Sequence, residues 1–188
     1  MMKQSFLLAS LLPLSIACGG ASSIASSGDA GPALATHCDT ATSTSAALCV
    51  ENAQGHAGDV VDVPIYFIGS TACTEAYEAN GHLVADANSF ALANPAQQVS
   101  CISRDYYGAP APGTIEISWN AFGGGSVGGC PNDIVPGKLD TVQIEILPGT
   151  PPGDYPITWN DPGVAGTTAQ CGVFGPSAGI AGTIRVLP

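Results

Sequence analysis

Carboxylates, histidines and cysteines are the groups in this chain that could do chemistry. Two carboxylate pairs, Glu75 with Glu78 and Glu116 with Glu145, have the residue types of a glycoside-hydrolase acid and base. Glu116 and Glu145 each alternate with apolar neighbours, so they read as solvent-facing strand residues rather than as a converging pair. Ser103-Arg104-Asp105 and the three histidines, His37, His56 and His82, show no nucleophile elbow or triad signature. No glycine loop leads into a helix that would cradle phosphate. Glu51, Asp62 and Asp140 read as solvated strand residues. The sequence therefore predicts a protein that is not an enzyme and takes no cofactor.

The cysteines point to structure instead. There are 7; with Cys18 set aside, Cys38, Cys49, Cys73, Cys101, Cys130 and Cys171 remain. None forms a CxxC pair and the histidines are scattered, so a zinc site has no support. Beyond the leader there is no Met for the axial position of a blue-copper site. No metal is expected. An even number of cysteines in an oxidising compartment reads as three disulfides. Roughly fifteen pairings are open to six cysteines, and the sequence does not select among them. The pairing Cys38–Cys49, Cys73–Cys101 and Cys130–Cys171 is one that pins each loop to a neighbouring strand.

Cys18 belongs to an address. Lys3 precedes an apolar run from Phe6 to Leu14, followed by small residues, which is the pattern of a secretory signal peptide. The run is too short for an ordinary membrane-spanning helix. Ser15-Ile16-Ala17-Cys18 resembles a bacterial lipobox, with Ser15 where Leu is usual. Processing there makes Cys18 the lipidated first residue; ordinary cleavage near Ala17 would leave its thiol free or paired. Residues 18–36 are small, flexible and nearly uncharged, a tether with a span of roughly 25 Å. Acyl chains, not side chains, would supply membrane affinity. Gly19 in place of Asp resembles lipoproteins sorted to an outer membrane. The expected plan is a signal peptide over 1–17, a tether over 18–36 and one folded domain over 37–188, lipid-anchored at the cell envelope.

Composition sets the class of that domain. Acidic residues outnumber Lys and Arg by 15 to 4, for a net charge of −11, which excludes nucleic acid as a partner. Charged residues are only 10% of the chain and apolar ones 45%, too apolar for a disordered acidic tail. The 24 Gly and 15 Pro interrupt the chain too often for long helices.

Periodicity supplies the strands. In the stretch 137–161, Val142, Ile144 and Ile146 alternate with Gln143 and Glu145, Pro148-Gly149 and Pro151-Pro152-Gly153 set a turn, and Tyr155, Ile157 and Trp159 alternate again. Further strands are expected at 48–52, at 60–68 (with Pro64 marking an edge or a bulge), and at 83–93. Others are expected at 99–103, 115–119 and 182–187, with a brief one at Val173-Phe174. Turns or loops are expected at 54–58, 106–113, 122–136 and 163–166, and 74–79 reads as one helical turn or an inserted loop. About nine short strands with frequent turns make an all-β sandwich of two antiparallel sheets.

Several segments, in order, resemble the cohesin family. Gly58-Asp59-Val60-Val61-Asp62-Val63-Pro64-Ile65 is similar to its GDxVxVPV strand. Ser89-Phe90-Ala91-Leu92-Ala93-Asn94-Pro95 is similar to its FxFxYDP strand end, with Ala93-Asn94 replacing Tyr-Asp. Ile115-Glu116-Ile117-Ser118-Trp119-Asn120 is similar to its ISFN-type strand. The stretch 137–161 resembles its GxLxxIxFxV strand and APxGxYPI turn, and Gly182-Thr183-Ile184-Arg185-Val186 resembles the closing strand. The resemblance spans most of 47–187. It implies a nine-stranded jelly-roll sandwich that does no chemistry and binds a dockerin-bearing protein on one sheet face. Such modules hold enzymes on scaffolds or cell surfaces, often for polysaccharide breakdown. Asp86 and Asn88 fall near the family's recognition Asn/Asp pair. The Gly-rich loop at 122–136 and the cysteine content depart from the family pattern.

The same sandwich occurs in cellulose-binding modules, so a polysaccharide is the alternative partner. Trp119 and Trp159 occupy alternating positions that suit core packing. Tyr106 and Tyr107, beside a loop, are the candidate sugar-binding residues. A structural envelope protein without a specific ligand is the third reading.

Overall fold

The computed structural model describes residues 32–71, 73–93, 97–99, 102–107, 114–122, 134–165, 175–176 and 178–188. A short 3-10 turn, Cys38–Thr40, precedes the strands. These are β1 (Ala47–Val50), β2 (Ala53–His56), β3 (Val60–Ile68), β4 (Glu78–Asp86), β5 (Phe90–Leu92), β6 (Gln97–Val99), β7 (Ile102–Tyr107), β8 (Thr114–Phe122), β9 (Gly137–Ile146), β10 (Gly153–Ala165), β11 (Gly175–Pro176), β12 (Ala178–Ile180) and β13 (Gly182–Leu187). Among the described residues, four of the thirteen (β5, β6, β11 and β12) are two or three residues long, which leaves nine longer strands. The small sheet runs β12-β1-β3-β9-β5; the large sheet runs β2-β13-β10-β4-β8-β7-β6, with β11 against β10. The result is the expected all-β jelly-roll sandwich. Its neighbours are antiparallel except β1 with β12 and β13 with β2.

Alternation builds the core as the sequence predicts. On β3, Val61, Val63, Ile65 and Phe67 point inward, and on β9 Val142, Ile144 and Ile146 do the same. The large sheet answers with Leu83, Ile157, Ile184 and Val186, and all of these join one apolar cluster. Burial of each such side chain is worth about 2 kcal/mol. Trp159 is half-buried and packs against this cluster. Gly81 makes room for it: a Cβ there would lie 2.9 Å from Trp159 Cε3.

The Pro/Gly turn after β9 has the expected form. Thr150 N–H donates to Leu147 O at 3.1 Å, with Pro148 second and Gly149 third. Gly149 has φ 87, as a type II turn requires. Thr150 Oγ1 donates to Leu147 O, and Leu147 N–H donates to Ser89 O across to the neighbouring turn. Pro64 sits beside a register shift in the β3–β9 ladder, between Ile65 and Tyr66. It also lies just past the last β1–β3 pair, Val50 with Ile65. There Glu51 N–H donates to Pro64 O and no partner needs a proline N–H.

Several expected boundaries are corrected. Residues 54–58 are not one turn, because β2 runs to His56. The expected strand at 48–52 is instead β1 ending at Val50, and β1 and β2 belong to different sheets. The expected strand at 83–93 is likewise two strands in two sheets, β4 and β5, joined by a turn at 87–89. The segment 99–103 straddles β6 and β7, which pair as a hairpin. Tyr106 and Tyr107 are the end of β7, in register with Ile117 and Glu116, not part of a loop. Strand β10 continues to Ala165 through a bulge at 160–163, where a loop was expected. Of the two alternatives for 74–79, residues 74–77 take the loop and not the helical turn; Ala76 bridges to Ile134, and β4 begins at Glu78. Glu51 is not solvated: it is 3% exposed. Val173 and Phe174 lie outside the described residues.

Candidate functional site

The strand register gathers polar residues on the outer face of the large sheet. On β4, Ala79, Gly81, Leu83 and Ala85 are buried while Glu78, Asn80, His82, Val84 and Asp86 alternate outward. The ladder sets Asn160 beside His82 and Thr158 beside Val84. It continues through Pro156 with Thr183 and Asp154 with Arg185. On the other side of β4, the backbone register sets Glu116, Ser118 and Asn120 opposite Val84, His82 and Asn80, and Thr114 opposite Asp86. Strand β7 follows, with Tyr107 opposite Glu116. Tyr107 and Asp86 thus lie toward the same end of the sheet, two strands apart.

The small sheet's outer face is different. There Cys38 and Cys49 form a disulfide, with S–S 2.06 Å. Cys38, Ala47, Cys49 and Ile68 make a second apolar cluster, with Tyr66, Ala41 and Ile180 against it. The segment before β1 covers this end of the sheet.

Asp86 and Asn88 lie where β4 turns toward β5. Asp86 Oδ1 accepts from Asn88 N and Nδ2, both at 3.0 Å, and Oδ2 accepts from Ser89 Oγ at 2.6 Å. The Ser89 hydroxyl, then the Asn88 amide, hold the Asp86 carboxyl below the usual carboxylate range against the opposing effect of burial. Asp86 therefore organises the corner, and Asn88 is the exposed member of the pair. Asp154 sits on the same face, its carboxylate gripped by Arg185 Nε at 2.6 Å and Nη2 at 3.0 Å. The Arg185 guanidinium lowers the Asp154 pKa in turn.

The remaining candidates divide cleanly. Glu116 is on the large sheet and Glu145 on the small one, so the sandwich separates them. His37, Cys38 and Cys49 place ligand atoms within 4.8 Å of one another, but oxidation of both cysteines removes the thiolates a metal would need. Cys73 is disulfide-bonded; its partner, and with it the pairing of Cys101, Cys130 and Cys171, lies outside the described residues. So do Cys18 and the side chains of Tyr106 and Tyr107. Residues 32–35, placed in the tether by sequence, contact the sandwich: Pro32 O accepts from Arg185 Nη1, Leu34 N–H donates to Gln54 Oε1, and Ala35 O accepts from Asn52 Nδ2.

Sequence reasoning missed the clamp at the point where β1 crosses to β2. The buried Glu51 carboxylate accepts from the backbone N–H groups of His37 at 3.0 Å, Cys38 at 3.0 Å and Asn52 at 2.8 Å. His37 Nδ1 lies 2.9 Å from Glu51 Oε1, and its Nε2 is 3.1 Å from Ala181 O. Burial raises the Glu51 pKa, but the three N–H donors outweigh it and the net shift is downward. The signal was the unbroken apolar run Leu48-Cys49-Val50 just before Glu51, which marks a strand buried on both faces.

No protein-family model matches the chain, and no curated protein matches it. Solved structures do. The third cohesin ScaC of Acetivibrio cellulolyticus, in complex with the ScaB dockerin, is 17% identical with a TM-score of 0.55, over 76% of this chain and 99% of that one. A cohesin module from a Clostridium perfringens family 33 glycoside hydrolase is 14% identical with a TM-score of 0.55, over 77% and 98%. A non-cellulosomal cohesin from Archaeoglobus fulgidus is 14% identical with a TM-score of 0.51, over 77% and 92%. At these identities the likeness is one of fold: the domain is a cohesin-like sandwich.

Proposed function

We propose that the chain is a non-enzymatic adaptor that binds a dockerin-type protein module on the outer face of its large sheet. A lipid on Cys18 would hold it at the cell envelope, at the outer membrane or the cell surface, and its role would lie beside polysaccharide breakdown. The observation that carries the reading is the contrast between the two faces. The small sheet is covered at one end by the disulfide-bound segment, whereas β4 and β10 turn outward a set of mostly polar side chains in fixed register, among them Asn80, His82, Asp86, Thr158 and Asn160. Support also comes from the dockerin complex of the Acetivibrio neighbour and from the hydrolase that carries the Clostridium neighbour. A pattern of polar groups in fixed register gives specificity through matched hydrogen bonds.

Isothermal titration of the full chain against a panel of dockerin modules tests this. His82→Glu and Asn160→Lys should abolish binding with the fold intact, and Gln143→Lys on the small sheet should not. Failure of every dockerin to bind, or loss through Gln143→Lys alone, would overturn it. The anchor is tested separately: Cys18→Ser should end incorporation of labelled palmitate and release the chain from membranes.

A further inference from the structure

We infer that the small sheet's outer surface holds a pocket for a neutral sugar, one or two pyranose rings, on the side of the sandwich away from the proposed partner face. The cavity is about 650 Å³, within the range of small-molecule sites. It forms where the Cys38–Thr40 turn and residues 41–43 meet the end of β3 and the residues after it. The Cys38–Cys49 disulfide fixes the first wall to β1. The second wall follows from the close approach of Gly69 to Pro136, where a Cβ would come within 2.5 Å of Pro136 Cγ.

The lining has two characters. Ala41, Ile68, Pro136 and the ring of Tyr66 give apolar surface. Around them stand the hydroxyls of Thr42, Ser43, Ser70, Thr71 and Thr74. Ser70 Oγ accepts from the Cys73 amide at 3.1 Å, which leaves its proton to donate. Asp39 is the one charged group in the lining among the described residues, and it stands close enough to Tyr66 to act on its phenol. Burial, then Asp39, pushes the Tyr66 pKa up, so the phenol keeps its proton.

This combination selects the ligand class. Among the described residues Asp39 is the charged group in the lining itself and Lys138 lies outside it, so an anionic ligand would meet like charge at contact range. Lys138 stands directly opposite Tyr66 in the β3–β9 ladder, and its charge on the same surface disfavours an organic cation. A wholly apolar ligand would strip water from Asp39 and the hydroxyl rim without replacing its hydrogen bonds. A neutral sugar satisfies both parts: its C–H face covers the apolar surface, and its hydroxyls donate to Asp39 and exchange hydrogen bonds with Ser and Thr. The inference stands without the protein-binding reading, because it uses the opposite face.

The test is titration of the full chain with cellobiose, xylobiose and maltose by calorimetry and saturation-transfer NMR, with choline and galacturonate as charged controls. At least one neutral disaccharide should bind. Asp39→Asn should weaken it about tenfold, Thr71→Trp should fill the cavity and abolish it, and Asn160→Ala on the large sheet should leave it unchanged. Both pocket positions are exposed, and thermal melts check that the variants fold; if Asp39→Asn does not, Thr71→Trp decides alone. Failure of all three disaccharides at millimolar concentration, preference for choline or galacturonate, or binding indifferent to Thr71→Trp would overturn the assignment.

Discussion

At the scale of single residues, the two best-held carboxylates do structural work at the points where the chain changes sheets. Glu51 serves the β1–β2 crossing and Asp86 the β4–β5 corner. Glu51→Ala leaves three backbone N–H groups without their acceptor, a loss of about 3 kcal/mol in unfolding free energy, measurable by denaturant titration. Asp86→Ala should cost about 1 kcal/mol by the same measurement. Asn88→Ala keeps the backbone N–H bond to Asp86 and loses only the exposed Nδ2 donor, so it should cost about 0.5 kcal/mol, and a larger loss of partner binding in that variant belongs to the exposed amide. The pH dependence follows with a definite sign. Both carboxyls have folded pKa values below their ordinary ones, 4.5 for Glu51 and 3.8 for Asp86. Their contribution is therefore complete above the ordinary values and is lost as the pH falls through the lowered ones. A stability profile should fall on acidification below about pH 4.5, and Glu51→Gln should flatten that fall.

At the scale of elements, strands were legible where one face is buried and the other wet, as in β3, β9 and the start of β10. Their period of two is written in Val61-Val63-Ile65 and Val142-Ile144-Ile146. The sheet switches were not legible. Leu48 to Asn52 and Leu83 to Ala93 each read as one strand, because alternation says which face a side chain takes but not which sheet the strand joins. That choice is made by long-range pairing, Val50 with Ile65 and Ile184 with Ala53. The crossing also explains a glycine that periodicity cannot. A Cβ on Gly182 would lie 2.6 Å from Val50 O and 2.7 Å from Glu51 O, so β13 can pass the crossing only without a side chain there. Gly182→Ala should lower the melting temperature, whereas Gly153→Ala, at the open start of β10 with its nearest neighbour at 3.6 Å, should change it little. The disulfide at the same end closes a loop of 11 residues. Cys38→Ser with Cys49→Ser should cost about 3 kcal/mol, read as a shift in the denaturant midpoint.

At the scale of the whole molecule, the sandwich is a two-faced plate whose faces are finished differently. The segments carrying the cohesin resemblance lie in its strands, and they predicted the fold because core alternation and Pro/Gly turns are what those segments encode. They carried less of the site. Asp86 and Asn88 were placed by analogy and belong to a corner that Asp86 itself builds, while the row through His82 and Asn160 exists only once β4 and β10 are paired. On the proposed function this row, and not the disulfide-covered face, meets the partner. Hydroxyl-radical footprinting of the full chain, alone and with a dockerin module, distinguishes the two faces. His82 on β4 should be protected while Tyr66 on β3 keeps its reactivity; protection of Tyr66 with His82 unchanged would put the partner on the other face and overturn the proposed function.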